Sequence, residues 1–88
     1  MIKFRSFAIV ISAQARKDIE KLPPKLKKKL KDILENVIVL NPYEGKKLIG
    51  DLAGSYSYQL SLKDRIVYGV DEDKRIVYIE RAKTHYGD

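Results

Sequence analysis

Apolar and polar positions alternate with a period of two through the C-terminal half of the chain. Tyr56, Tyr58 and Leu60 alternate with Ser57, Gln59 and Ser61. Ile66, Tyr68 and Val70 alternate with Arg65, Val67 and Gly69, and a third run extends from about Arg75 to Arg81. β-Branched and aromatic residues in this pattern predict three antiparallel strands with one buried face. A three-residue loop, Leu62-Lys63-Asp64, pairs Leu60 with Ile66 and Tyr58 with Tyr68, which keeps the apolar set together. A two-residue turn at Glu72-Asp73 then sets Val77 opposite Tyr68, Ile79 opposite Ile66 and Glu80 opposite Arg65. One face is Tyr56, Tyr58, Leu60, Ile66, Tyr68, Val70, Val77 and Ile79. The other carries Ser57, Gln59, Ser61, Arg65, Val67, Tyr78 and Glu80 and is where polar chemistry can sit.

The N-terminal half changes period. Residues 3–11 read as a strand, and Ser12 is an N-cap for a helix beginning near Ala13. Ala15, Ile19 and Leu22 form its apolar stripe. Pro23-Pro24 ends that helix and starts another. Leu26, Leu30, Ile33, Leu34 and Val37 stripe the second helix. It ends at Asn36 as a cap or runs on through Val37-Ile38-Val39-Leu40, and Asn41-Pro42 breaks it. Residues 43–55 read as a loop or irregular strand. The order is β-α-α-β-β-β, an α+β fold with a helical hairpin covering one face of a small, mainly antiparallel sheet.

At 88 residues the chain is expected to be one domain, 1–88. The net charge of +6 is unevenly placed. Residues 1–50 hold 12 Lys/Arg against 5 Asp/Glu, and residues 51–88 hold 6 against 7. A basic half suggests a polyanionic partner, and Lys25, Lys27, Lys28, Lys29 and Lys31 crowd the outside of the second helix. The bland reading is a solvated lysine face. There is no cysteine, hence no disulfide and no thiolate site, in keeping with a cytoplasmic protein. One histidine and no cysteine argue against a zinc site of ordinary type, and no metal or cofactor is expected. Phe7-Ala8-Ile9-Val10-Ile11 is too short for a signal-peptide core or a membrane span. Gly45-Lys46-Lys47-Leu48-Ile49-Gly50 has the glycine spacing of a P-loop, but Asp51-Leu52 follows where Lys and Ser/Thr are required. Asp71-Glu72-Asp73 reads as a solvated turn.

One constellation remains. Metal-free cleavage of RNA needs a base for the 2′-hydroxyl, a cation for the phosphate oxygens and an acid for the departing 5′-oxygen. General acid–base groups contribute about 10²–10⁴-fold each, and fixed cations comparably. Arg65 has a planar fork suited to phosphate. His85 is the one histidine, a residue type whose unperturbed pKa lies near neutrality, Tyr86 beside it can stack on a base, and Lys46 and Lys47 lie in the loop before the sheet. Each has a plainer alternative: a surface histidine, an Arg65–Glu80 surface pair, a tyrosine packed on the core, two solubilising lysines. Strict alternation also puts Tyr86, not His85, on the Arg65 face. Both reach one site only if the chain leaves regular strand geometry, near Lys83-Thr84.

Three stretches carry a family resemblance: Ala15-Arg16-Lys17-Asp18-Ile19-Glu20-Lys21-Leu22-Pro23, Lys47 through Tyr58, and Arg65-Ile66-Val67-Tyr68 with the terminal His85-Tyr86. In order and spacing the chain resembles the RelE/ParE superfamily of toxin–antitoxin toxins, from about Phe7 onward. Tyr56-Ser57 and the closing His-Tyr look most like the YoeB (Txe) branch.

The resemblance implies a ribosome-dependent endoribonuclease that cuts mRNA in the A site, leaving a 2′,3′-cyclic phosphate and a 5′-hydroxyl. By position Arg65 would stabilise the phosphate, His85 would act as general acid or base, and Tyr86 would orient the substrate. Lys83 falls where the branch often carries a basic residue. Lys46 stands where the branch has a glutamate base, and would need a lowered pKa to replace it. Gln59 stands where the branch tends to have arginine. Lys27, Lys28, Lys31, Lys47, Gln59, Arg81 and Lys83 are the expected RNA contacts. Ribosomal RNA, mRNA and a cognate antitoxin are the implied partners, with Val67 and Tyr78 on the open face as antitoxin anchors. The free protein is expected to be a monomer or homodimer. The rival implication is a ParE-type inhibitor of DNA gyrase; a non-catalytic antitoxin-binding relative is the third.

Overall fold

A computed structural model describes residues 6–48 and 54–84, with the backbone alone at Lys83 and Thr84. Its elements are β1 (Ala8–Ile11), α1 (Ala13–Glu20), α2 (Pro24–Ile33), β2 (Lys46–Lys47), β3 (Ser55–Gln59), β4 (Asp64–Asp71) and β5 (Ile76–Thr84). The sheet runs β1-β5-β4-β3-β2; β1 is parallel to β5 and the other pairs are antiparallel. This is the α+β fold that the sequence predicts, with one short strand, β2, in the segment read as a loop or irregular strand.

Local chemistry explains the helical layer. Ser12 is extended, and its Oγ accepts from the Ala15 N–H at 3.0 Å, which starts α1. Pro24 occupies the first turn of α2, where a missing N–H costs nothing. Past Ile33 the helix widens into a π-turn, Leu34–Ile38, closed by the Val39 N–H on the Leu34 carbonyl at 3.0 Å. The apolar run therefore carries the helix on, and Ile38 is fully buried. Asn36 is not a cap; its amide donates to Asp32 Oδ1 at 2.6 Å.

The core lies between the helices and one sheet face. Ala15, Leu22, Leu30, Ile33 and Ile38 meet Leu60, Ile66, Tyr68, Val77, Ile79 and Ala82 there. Burying each larger aliphatic side chain stabilises the fold by about 1.5–3 kcal/mol. The predicted apolar face is the one that is buried, but both hairpin registers differ from the expected ones.

In the first hairpin Tyr58 pairs with Ile66 and Tyr56 with Tyr68, a shift of two residues. Leu60 lies just beyond the strand, with its side chain fully buried. The longer loop is then closed by the Leu60 and Ser61 N–H groups on the Asp64 carbonyl, at 2.8 and 3.1 Å. Ser61 Oγ accepts from the Lys63 and Asp64 amides and donates to Asp64 Oδ2. A shift of two preserves parity, so every side chain keeps its face.

The second turn spans four residues, 72–75, and is held by the Lys74 N–H on Asp71 Oδ1 at 3.0 Å. Arg75 sits at φ 56°, and its guanidinium lies 4.2 Å from the centroid of the Phe7 ring. That stacking offsets part of the cost of a left-handed arginine. Tyr68 now pairs with Ile79 and Val70 with Val77. The register then slips again, to Val67–Arg81 and Arg65–Lys83, so Glu80 is an extra residue in β5.

Candidate functional site

The sheet face away from the helices is built in cross-strand rows. Gln59, Arg65 and Lys83 share one row across β3, β4 and β5. Ser57, Val67 and Arg81 form the next, and Lys46 on β2 extends it opposite Ser57. Cross-strand partners point to one side, so Lys46, Gln59, Arg65 and Arg81 share a face. Lys46 and Gln59 are exposed, and Arg65 is partly so. Lys47 pairs with Tyr56, which assigns it the opposite parity. The two lysines of the loop thus part company.

The bulge decides this composition. Without it, Glu80 would face Val67, and Arg81 would lie opposite Ile66 in the core. With it, Ala82 takes the core position at 2% exposure, and Arg81 joins the open face. The expected pairing of Glu80 with Arg65 is overturned for the same reason: Arg65 pairs with Lys83, and Glu80 sits beside Tyr68's end of the ladder. There its carboxylate accepts from Ser55 Oγ at 3.4 Å. A departure from regular strand geometry does occur in β5, at Glu80, ahead of the Lys83-Thr84 position where the sequence asked for one. It reverses the alternation for the strand that follows. His85 and Tyr86 lie outside the described residues.

Arg81 is held rather than loose. Its Nε donates to Asp18 Oδ2 at 2.8 Å and its Nη2 to Asp18 Oδ1 at 3.4 Å, with the arginine side chain 43% exposed. Asp18 also accepts from the Ala82 N–H at 3.1 Å and from Gln14 Nε2 at 3.2 Å. Burial pushes the Asp18 carboxyl up, but the Arg81, Ala82 and Gln14 hydrogen bonds outweigh it and hold the group below its ordinary value of 3.8. The same guanidinium–carboxylate contact raises Arg81.

The loop that delivers Lys46 is anchored from below. Tyr68 Oη donates to the Pro42 carbonyl at 2.6 Å. At Gly45 a Cβ would collide with the Tyr68 hydroxyl and lie 2.8 Å from the Ser57 carbonyl, so only glycine lets the loop approach this closely.

Other expected residues are placed elsewhere. Lys27, Lys28 and Lys31 are exposed on α2, in the helical layer, across the sheet from Arg65. Val67 is only 8% exposed in mid-sheet, too covered to anchor a partner, whereas Tyr78 is 38% exposed. Two hollows escaped the sequence reading. One, of about 430 Å³, lies on the open face at the end away from Arg65, lined by Ser55, Gly69, Asp71, Glu72, Tyr78 and Glu80 among others. The period-two pattern held its signal, since Gly69 leaves a gap between Ser55 and Tyr78. The other, of about 340 Å³, is an apolar groove of Ile9, Ile11, Ile19, Leu30, Leu34 and Val39, lined also by Lys27, Lys31 and Glu35.

Comparison with known proteins settles the family. The model of the ParE-like toxin of type II bacterial toxin–antitoxin systems matches residues 9–87. The chain belongs to the ParE-like toxin family. Its structure is similar to that of the toxin–antitoxin complex RelBE2 from Mycobacterium tuberculosis, with a TM-score of 0.84, 26% identity, and 97% of this chain and 98% of the other covered. The YoeB–YefM complex from Staphylococcus aureus is similar at a TM-score of 0.74 and 30% identity, covering 91% and 98%. The E. coli toxin RelE, as a mutant in the free state, is similar at a TM-score of 0.75 and 26% identity, covering 88% and 81%. No curated protein matches the sequence. Among the described residues of this ParE-like toxin, no helix is long and apolar enough to cross a membrane.

Proposed function

We propose that this ParE-like toxin is a ribosome-dependent endoribonuclease. Its chemistry would run on side chains alone. A base takes the proton from a ribose 2′-hydroxyl, and the 2′-oxygen attacks the adjacent phosphorus. The bond to the 5′-oxygen breaks, and that oxygen takes a proton from an acid. The products are a 2′,3′-cyclic phosphate and a 5′-hydroxyl. Arg65 and Arg81 stabilise the phosphate charge, and Gln59 and Lys83 flank it. His85 and Lys46 divide the proton transfers, and Tyr86 orients the substrate. The observation that carries the reading is the register slip at Glu80, which puts Arg81 on the helix-free face with Arg65 and Lys46.

The lysines of α2, with Lys47, grip ribosomal RNA through sequence-independent phosphate contacts. A cognate antitoxin fits the apolar groove, its acidic flank meeting Lys27 and Lys31. The ribosomal target places the toxin in the cytoplasm. The ParE name of the matching family model favours gyrase inhibition as the second reading.

The test is primer extension on mRNA bound to ribosomes. Wild-type chain cuts within the A-site codon, and Arg65→Ala and His85→Ala each lower cleavage at least about 100-fold. Intact mRNA together with inhibited gyrase supercoiling would select the second reading.

A further inference from the structure

β1 stops flanking β5 at Ile11–Ile79, so the outer edge of β5 continues without a strand beside it. Helix α1 and its N-cap take over that edge, through the backbone and hydroxyl of Ser12 and the carboxylate of Asp18. The Ser12 N–H donates to the Ile79 carbonyl at 3.0 Å, and its hydroxyl donates to the Glu80 carbonyl at 3.2 Å. Six positions on, Asp18 accepts the Ala82 amide and the Arg81 guanidinium. The two grips bracket Glu80, the inserted residue. A bulge leaves the ladder locally unpaired, and here helix side chains supply the partners that a strand would have supplied.

Asp18 is 9% exposed. A carboxylate that sheltered is tolerated because it is paired and hydrogen-bonded. It uses both oxygens on donors already described, and a negative charge repels phosphate, so it is not an RNA ligand. Its reach is through Arg81. Nε and Nη2 are turned to Asp18, while Nη1 donates to no described residue and the side chain stays 43% exposed. An arginine fixed on one edge presents its remaining donors in one orientation, with less rotamer freedom to lose on binding.

We propose that Asp18 is a positioning residue for the RNA site: through Arg81 and the Ala82 amide it holds the bulged register of β5 and aims the guanidinium across the open face. The proposal rests on the nuclease reading above. It assigns a functional part to the first helix, on which no candidate site residue lies.

A double-mutant cycle tests it, with cleavage of ribosome-bound mRNA as the readout, normalised to the folded fraction. Arg81→Ala, which removes the cation itself, should lower kcat at least about 100-fold, and Asp18→Ala, which leaves it misaimed, by up to about 100-fold. KM for programmed ribosomes should stay within about twofold, because the lysine contacts are untouched. Asp18→Ala in an Arg81→Ala background should cost much less than it does in the wild type, the non-additivity expected of residues acting through one another, with the lost Ala82 amide contact as the remainder. Asp18→Asn keeps an acceptor for the Ala82 amide; it should lie between wild type and Asp18→Ala, and it replaces Asp18→Ala in the cycle if that variant fails to fold. Additive losses, or losses that disappear on normalisation, overturn the positioning role alone. An inactive wild type overturns the nuclease reading itself.

Discussion

Tyr68 Oη donates a 2.6 Å hydrogen bond to the carbonyl of Pro42, tying the middle of the central strand to the loop that leads into β2. Tyr68 is fully buried, and its ring stacks on Tyr56 at a centroid distance of 5.7 Å. Burial pushes its hydroxyl up to about 12, with a backbone hydrogen bond at Gly45 acting in the other direction. A raised folded-state value means that the protonated form is favoured in the fold. The stabilisation is complete below pH 10 and is lost as pH rises from 10 through about 12. Chemical denaturation should therefore show stability falling across that window. Tyr68→Phe should lower stability at pH 7 by about 1–3 kcal/mol, by orphaning the Pro42 carbonyl, and should flatten the alkaline fall.

Gly45 is under the same constraint from the other side. A Cβ there would collide with the Tyr68 hydroxyl and press on the Ser57 carbonyl. Gly45→Ala should cost about 1–3 kcal/mol, the usual penalty for forcing extra volume into a packed place. It should also displace Lys46, so cleavage should fall more than stability alone accounts for. Thermal melts beside a cleavage assay distinguish the two effects.

Asp18 predicts the acid limb. Its carboxyl titrates below the ordinary 3.8 because of Arg81, the Ala82 amide and Gln14, despite burial. A depressed value contributes stability that is present above the unfolded pKa and is lost as pH falls through the folded one. Wild type should weaken below about pH 4, and Asp18→Asn should remove that part of the slope. A stability profile from pH 6 to pH 2, read by fluorescence of the tyrosines, checks it.

Lys27, Lys28 and Lys31 are exposed on the helical layer, across the sheet from Arg65. Their effect should be on binding rather than chemistry. Reversing all three to Glu should weaken ribosome binding and reduce its salt dependence by about 0.7–0.9 in log–log slope for each phosphate no longer neutralised. Single-turnover cleavage by the bound fraction should be unchanged. Filter binding across a salt series, paired with single-turnover rates, gives both numbers.

Much of this was legible from the chain. Alternation at 56–61 and 65–70 gave the buried face, because side-chain direction in a strand depends only on parity. Ser12 and Pro24 marked their helix starts, because caps act within one turn. The loop lengths were not legible. The first hairpin closes on Asp64, whose carbonyl takes the Leu60 and Ser61 amides, and no local pattern of apolar positions marks that choice, because a shift of two leaves every side chain on the same face. Asp71-Glu72-Asp73, a solvated turn in the sequence, became one end of a hollow because Gly69 opens the sheet face beside it.

The sequence by itself determined which residues could be buried, where each helix begins, and that a cationic chemistry was available in Lys46, Arg65, Arg81 and Lys83. Only the tertiary structure decided that Arg81 stands with Arg65 and Lys46 rather than in the core. One inserted residue, Glu80, reverses the alternation. The groups bracketing it, Ser12 and Asp18, lie more than sixty positions away in sequence. Local pattern carries parity along a strand, but an insertion that resets it is held by partners that folding brings together.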